Sequence, residues 1–277
     1  MGFEYTTPAI EKWRLNEFFD IINEFEDTFA NIVNHKVSLE RNYQVVLVHI
    51  AGKALVTTRE VLTLCAHGYP DGALALGRNL YEQMMIVSFF EIHKDDTAFQ
   101  SYIDDYMLNY EVQRIRMLRS MGRYSSDSKA TELDDLMKEI RARTSRQIEG
   151  DYWWADCKSF AGLVDRVMRE QRDASLRDFL SIHYVRYKRA CISLHAGCMG
   201  NVLRIGKTAN MALVDTSATL YGQSTPLVYT AVSMISIIGF ICSEFQMDNT
   251  KYLGKLNELA ILYQNMEYTD EIRTCDQ

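Results

Sequence analysis

Apolar residues recur every three or four positions along most of this chain, the spacing of one face of an α-helix. Over residues 8–35 this spacing predicts one amphipathic helix that begins at Pro8, a residue favoured in the first helical turn. A second helix is predicted over residues 38–67, with Ser38 as its N-cap. A third, rich in Ala, Leu, Met and Phe, is predicted over residues 73–93.

Short polar or glycine-containing segments separate these helices from one another. Residues 68–72 read Gly-Tyr-Pro-Asp-Gly, which predicts a turn, and residues 94–97 end the third helix. Further helices are predicted over residues 98–121, 131–148, 159–168, 176–203 and 249–265, and from Pro226 onward. No stretch alternates with the two-residue period of a strand, so we expect an all-α fold.

The helices predict a single domain, a bundle of about nine helices. Residues 1–68 would form an N-terminal helical hairpin, residues 69–205 a core with the candidate site, and residues 206–277 the C-terminal helices. Only 3 prolines and 14 glycines occur in 277 residues, which agrees with long helices.

Charge and cysteine content narrow the function classes. The net charge of −7 argues against a general nucleic-acid coat, because phosphate binding needs a cationic face, although a local basic face stays open. The six cysteines show no CxxC spacing and no signal peptide is evident, so we expect reduced thiols in a cytoplasmic protein. Without metal-ligand spacing or a nucleotide-binding motif, we expect no metal and no cofactor.

One uncharged segment, residues 216–243, raises the question of a membrane span. Its strongly apolar part covers residues 227–242, which is shorter than the roughly 20 residues that cross a bilayer. It also contains Tyr229, Thr230 and Ser233. We therefore expect a buried central helix and no membrane association.

The helix over residues 176–203 carries the main candidate site. At 100° per residue, Tyr184, Lys188, Cys191 and His195 lie on one face. An imidazole beside a thiol, an ammonium and a phenol suits acid–base chemistry, since His changes charge near neutral pH. Cys191 and His195 could also form a nucleophile–base pair. The alternative is a core histidine bonded within the fold and an inert buried cysteine.

Arg189 and His195 make a second arrangement in the same helix. Six residues place their side chains about 120° apart in an ideal helix. They would converge only through a helix distortion or in a site shared by two subunits.

Two further features could belong to a site or only to the fold. Arg78 and Glu82 lie four apart in an apolar helix, where a buried ion pair marks either a structural network or a site. Two basic stretches could hold a phosphate backbone, although a solvated helix face is the default interpretation of each. Trp153 and Trp154 could stack a base, although packing of their loop onto the bundle is favoured. The basic stretches are Arg114, Arg116, Arg119 and Arg123, and then Arg166, Arg169, Arg172, Arg177, Arg186, Lys188 and Arg189.

Residues 71–82, DGALALGRNLYE, resemble a widespread bacterial all-helical family of unknown function, which pairs such a helix with a late helix carrying Tyr, Ser and His. Here the late helix has Tyr184 and Tyr187, then Cys191 where the family usually has Ser, then His195. The resemblance covers about residues 40–205. It implies that Arg78, Glu82 and His195 share a site, and it implies no activity.

A weaker similarity is to the HEPN superfamily, which includes metal-independent RNases of bacterial toxin and phage-defence systems. Their signature is Arg, four to six residues, then His, usually with a polar residue after the Arg. Arg189 and His195 fit that spacing, whereas Ala190 departs from the pattern. The similarity implies that Arg189 stabilises phosphate charge, that His195 acts as acid or base, and that a homodimer assembles the site.

These observations leave two functions open. The first is a HEPN-like RNase or toxin-type effector of a bacterial defence system, acting on RNA as a homodimer. The second is a non-catalytic helical protein that binds a ligand or a partner protein. The residues expected to take part are Arg189 and His195 in catalysis, and Arg78, Glu82, Tyr184, Lys188 and Cys191 in ligand binding.

Overall fold

The computed structural model describes residues 6–35, 42–121, 127–194 and 222–275, and throughout these ranges the chain is all-α, as predicted. The helices are α1 (Thr6–Lys12), α2 (Leu15–His35), α3 (Asn42–Ala66), α4 (Pro70–His93), α5 (Phe99–Met121), α6 (Asp127–Arg143), α7 (Phe160–Glu170), α8 (Ala174–Leu194), α9 (Ser224–Glu244) and α10 (Thr250–Cys275). A 3₁₀ turn, Trp153–Ala155, precedes α7.

The first predicted helix is broken in two. Arg14 has a φ of 50°, outside the helical region, and α2 begins at the next residue. Periodicity continues through the break, because Trp13 and Leu15 are both fully buried, so the apolar spacing alone gave no sign of it.

The turn after α3 is tighter than predicted. Gly68 has a φ of 78°, which favours glycine, but α4 then begins at Pro70 rather than at Ala73. Asp71 consequently lies in the first turn of α4. The predicted cap Ser38 lies outside the described residues.

The chain divides into two compact units. The first contains Met1–Leu39, Leu47–Met84 and Asp178–Gln277, and the second contains Glu40–Val46 and Met85–Arg177. The expected single domain, with its three segments, stays a prediction.

The core of the first unit is built around α9. This helix is long and apolar enough to cross a membrane by length and composition, yet 78% of its apolar window is buried inside the fold. Aromatic contacts tie the neighbouring helices together: Phe29 meets Phe245 edge-on, and the Tyr263 hydroxyl donates to the Trp13 carbonyl at 2.9 Å. The burial of α9 against its own chain favours the predicted central helix.

The core of the second unit is an aromatic cluster around Trp154. The Trp154 ring packs against Phe89, Phe90 and Tyr106 at centroid distances of 4.9 to 5.5 Å. Trp153 donates from Nε1 to Asn109 at 2.7 Å. Both tryptophans are 1% exposed, so neither is available to stack a base, and packing is their role.

Two arginines of the predicted basic stretches make hydrogen bonds within the second unit. Arg166 binds the Ala155 carbonyl at 2.6 Å and the Tyr102 hydroxyl at 3.0 Å, and Arg116 binds the Gly150 carbonyl at 2.7 Å. Because these arginines hold loops in place, they are not a free basic face.

Candidate functional site

In the first unit, α8 packs against the first half of α4 through tyrosine rings. Tyr81 is buried, and its ring lies 5.4 Å from Tyr187, 6.4 Å from Tyr184 and 5.6 Å from Tyr229 of α9. The Tyr81 hydroxyl donates to the Leu180 carbonyl at 3.1 Å, which fixes α8 against α4. These stacked rings are apolar walls that position the polar ends of neighbouring side chains.

Four of those side chains meet at the edge of the stack: Arg78, Glu82, Tyr187 and Cys191, called here the α4–α8 cluster. Arg78 Nε lies 3.5 Å from Glu82 Oε1, one helical turn away. The Tyr187 hydroxyl donates to the same Glu82 oxygen at 3.0 Å. Arg78 Nη1 donates to Cys191 Sγ at 3.8 Å, so each helix supplies two members.

The cluster is half-buried, which sets its electrostatics. The side chains of Arg78 and Glu82 are 28% and 25% exposed, so water still reaches both. Burial alone lowers the pKa of Arg78, but the Glu82 carboxylate and the Cys191 contact outweigh it and raise the pKa above the ordinary value. Arg78 therefore carries a fixed positive charge.

Tyr187 is held as a neutral donor. Burial first, and then the charge of Glu82, raise the pKa of Tyr187 above its ordinary value. Because Glu82 Oε1 accepts from the neutral hydroxyl and faces Arg78, the carboxylate fixes the positions of both neighbours.

Tyr229 adds a polar atom beneath the cluster. Its side chain is fully buried, and its hydroxyl has no hydrogen-bond partner among the described residues. Burial raises the pKa of Tyr229 well above the ordinary value, and the Tyr187, Cys191 and Glu82 charges act in the same direction. A buried unpaired hydroxyl costs stability, and this one is closed to solvent because Tyr229 is 0% exposed.

Glycine at position 77 allows this arrangement. A Cβ placed on Gly77 would already touch Tyr229 Cδ1 at 3.4 Å and Thr230 Oγ1 at 3.6 Å. A longer side chain there would push α9 away from α4 and remove Tyr229 from the stack.

The predicted ligand-binding residues are placed as follows. Arg78, Glu82 and Cys191 come together in the α4–α8 cluster, while Tyr184 lies in the ring stack, 5.9 Å from Tyr187. Lys188 is exposed, and its ammonium lies 4.8 Å above the Tyr184 ring.

The two predicted catalytic residues cannot be placed. His195 lies outside the described residues, and only the backbone of Arg189 is described, within α8. The helix predicted over residues 176–203 contains two histidines, and the structure describes His183. It is a core residue, 5% exposed, with Nδ1 accepting from Arg186 at 3.1 Å.

Two residues of this site, Tyr187 and Tyr229, are absent from the predicted ligand-binding set. Tyr187 carried a signal, since it is one of the two late-helix tyrosines of the family resemblance and precedes Cys191 by one helical turn. Tyr229 carried no such signal, because it lies 38 residues after Cys191, in a different helix.

The second unit contains a pocket whose charged lining residues are largely paired with one another. This pocket of about 500 Å³ is lined in part by Arg146, Asp156 and Cys157, but Arg146 is already paired with Asp105 and Asp156. Within the described ranges, no group of three or more His, Cys, Asp or Glu side chains is placed to hold a metal ion.

Fold and site together define an all-helical protein with a half-buried Arg–Glu–Tyr–Cys cluster between two helices. The chain belongs to a family of unknown function (DUF5677), whose model matches residues 44–211, more than half of the chain. That match includes both helices of the cluster. No curated protein and no solved structure matches the chain.

Proposed function

We propose that this protein is a helical ligand-binding or regulatory protein that holds a small anionic group at the α4–α8 cluster. The observation that carries the proposal is the state of Arg78. It is permanently charged, about a quarter exposed, and held in place by Glu82 and Cys191. The exposed quarter of this side chain is where a ligand would meet the guanidinium.

The neighbouring groups favour an acceptor-rich ligand. Lys188, on the same helix as Cys191, adds an exposed ammonium that lies 4.8 Å above the Tyr184 ring. Within the α4–α8 cluster, the Arg78 guanidinium faces one carboxylate, Glu82, at 3.5 Å. Guanidinium forks match phosphate and carboxylate groups, which are the ligand classes we expect.

Calorimetric titration tests this proposal, with inorganic phosphate and pyrophosphate as probes. We expect binding that Arg78→Gln weakens at least tenfold. Arg59→Gln is the matched control, because Arg59 is also ion-paired on a helix and its side chain is 30% exposed. Equal binding by the Arg78→Gln and Arg59→Gln variants would exclude the α4–α8 cluster.

A second candidate function is metal-independent RNA cleavage in a bacterial phage-defence system, by a homodimer similar to HEPN RNases. Cys191 favours it, since this residue lies in the cluster and falls between Arg189 and His195 in the sequence. In this reaction the cluster would bind a phosphate of the RNA. The ribose 2′-oxygen would attack the adjacent phosphorus and displace the 5′-oxygen. Arg189 would stabilise the negative charge on the phosphate, and His195 would take the proton from the 2′-hydroxyl or give a proton to the leaving oxygen.

Incubation with labelled single-stranded RNA in the presence of EDTA tests the second candidate. We expect cleavage that His195→Ala and Arg189→Gln abolish and that His49→Ala leaves unchanged, since His49 is exposed on α3. Phosphate binding without RNA cleavage would retain the first proposal and reject this one.

A further inference from the structure

The α5 helix exposes a stripe of large apolar side chains. Eleven large apolar residues of the described chain are exposed, and five of them lie on this one helix. They are Met107 (41%), Tyr110 (74%), Met117 (54%), Leu118 (38%) and Met121 (65%), which together with Arg114 are called the α5 stripe. Such concentration on one face marks an interaction surface rather than scattered surface residues.

The spacing of the stripe is that of a helix–helix seam. Positions 107, 110, 114, 117 and 121 are separated alternately by three and four residues. This is the a/d pattern by which one helix packs along another, here over about 21 Å of helix. The opposite face of α5, which includes Leu108, Val112 and Ile115, is buried in the second unit.

The α5 stripe is complementary to the α5 stripe of a second copy of the chain. Consider two copies of α5 packed antiparallel about a two-fold axis near Val112, with a positions facing d positions. Met107 then faces Met117 of the partner subunit, and Arg114 faces Tyr110 of the partner subunit. Arg114 is exposed and makes no described contact, so its guanidinium is available to lie on that ring.

Glu111 strengthens this match. It borders the stripe one turn before Arg114, its side chain is 44% exposed, and it pairs with Arg143 at 3.3 Å. In the antiparallel arrangement it lies beside Arg114 of the partner subunit, so each copy offers one acid and one base to the other. If the two-fold axis lay at Arg114 instead of near Val112, the two copies of Arg114 would face each other and repel.

We infer that the α5 stripe is the homodimer interface of this protein, with a second copy of the chain as its occupant. The stripe belongs to the second unit and the α4–α8 cluster to the first. The inference is therefore independent of the proposed ligand. It assigns a surface to the homodimer expected from the sequence.

Sedimentation equilibrium of the full chain tests the inference. We expect a dimer, and we expect Met117→Glu to raise its dissociation constant at least tenfold with unchanged circular dichroism. Ile261→Glu is the matched control, because Ile261 is 52% exposed on α10. A monomeric unsubstituted protein at 100 µM would overturn the inference, as would a dimer that Met117→Glu leaves intact.

Cysteine cross-linking separates a second copy from another occupant of the stripe. Met107→Cys and Met117→Cys chains are prepared separately, mixed and mildly oxidised, with the unsubstituted chain measured in parallel. We expect a covalent dimer in the mixture well above that of either variant alone, because positions 107 and 117 face each other. Equal yields in all samples would overturn the antiparallel pairing and point to a different partner on the stripe.

Discussion

The Tyr187 hydroxyl of α8 donates a 3.0 Å hydrogen bond to Glu82 Oε1 of α4, across 105 residues of chain. This bond joins the two helices that carry the candidate site. It also fixes the carboxylate that faces Arg78. The orientation of the guanidinium therefore depends on a residue that would not itself need to touch a ligand.

Removal of this hydroxyl should destabilise the protein. We expect Tyr187→Phe to lower the free energy of unfolding by about 1.5 kcal/mol, because a half-buried carboxylate loses a donor. Urea denaturation measures the change. Tyr69→Phe is the control, since Tyr69 is 49% exposed, and it should change stability by less than about 0.5 kcal/mol. Equal losses in both variants would contradict the structural role of the bond.

The Cys191 thiol should be replaceable by another acceptor. Cys191→Ser keeps an atom that accepts from Arg78 Nη1, whereas Cys191→Ala does not. We expect Cys191→Ser to bind inorganic phosphate nearly as well as the unsubstituted chain. Cys191→Ala should weaken phosphate binding about fivefold, the effect of losing roughly 1 kcal/mol. Calorimetry on the three proteins compares them directly, and equal affinities would show that the thiol does not position Arg78.

His183 should make stability depend on pH. Burial first, and then the Arg186 charge, lower the pKa of His183 from 6.5 to about 3. Between these values the unfolded chain binds the proton and the folded chain does not, so stability rises with pH. The contribution is complete above pH 6.5 and is lost as the pH falls toward 3.

Denaturation of the unsubstituted chain and of His183→Gln at pH 7.5 and pH 5.0 measures this contribution. We expect the free energy of unfolding of the unsubstituted chain to fall by about 2 kcal/mol more than that of the variant. Parallel declines in the two proteins would assign the pH dependence to other groups.

The second unit should depend on the buried Arg146–Asp105 ion pair. The side chains are 12% and 6% exposed, and Arg146 also binds Asp156 at 3.0 Å. We expect Asp105→Ala to cost about 3 kcal/mol, because it leaves a buried guanidinium short of an acceptor. Thermal and urea denaturation test this, with Asp104→Ala as the control on the exposed side of α5. A loss below 1 kcal/mol for Asp105→Ala would contradict the prediction.

Two glycines should respond oppositely to alanine. Gly150 has a φ of 70°, and a Cβ there would lie 1.8 Å from the Lys158 carbonyl oxygen, so Gly150→Ala should cost more than about 3 kcal/mol. Gly52 lies within α3 with nothing within 4 Å of its Cβ position, so Gly52→Ala should stabilise by about 0.5 to 1 kcal/mol. Urea denaturation of both variants decides, and a stable Gly150→Ala would contradict the loop geometry.

Much of the secondary structure could be predicted because helical periodicity is local. The end of α4 at His93 matches the predicted bound, since the polar residues 94–97 follow it. Ser159 caps α7 by accepting from the Gly162 amide at 3.3 Å. The break at Arg14 was missed, because apolar residues on both sides of it remain in the core.

The sequence by itself determined the all-α class, most helix bounds, the family resemblance, and the candidacy of Arg78, Glu82 and Cys191. Only the tertiary structure decided that Arg78 and Cys191 meet, because they lie 113 residues apart and their contact depends on how two helix faces pack. The same packing placed Tyr187 in the α4–α8 cluster and Tyr229 in the adjoining ring stack. It also buried Trp153 and Trp154, so neither can stack a base. A helix pattern shows which face is apolar, but the partner of that face is chosen by the core as a whole.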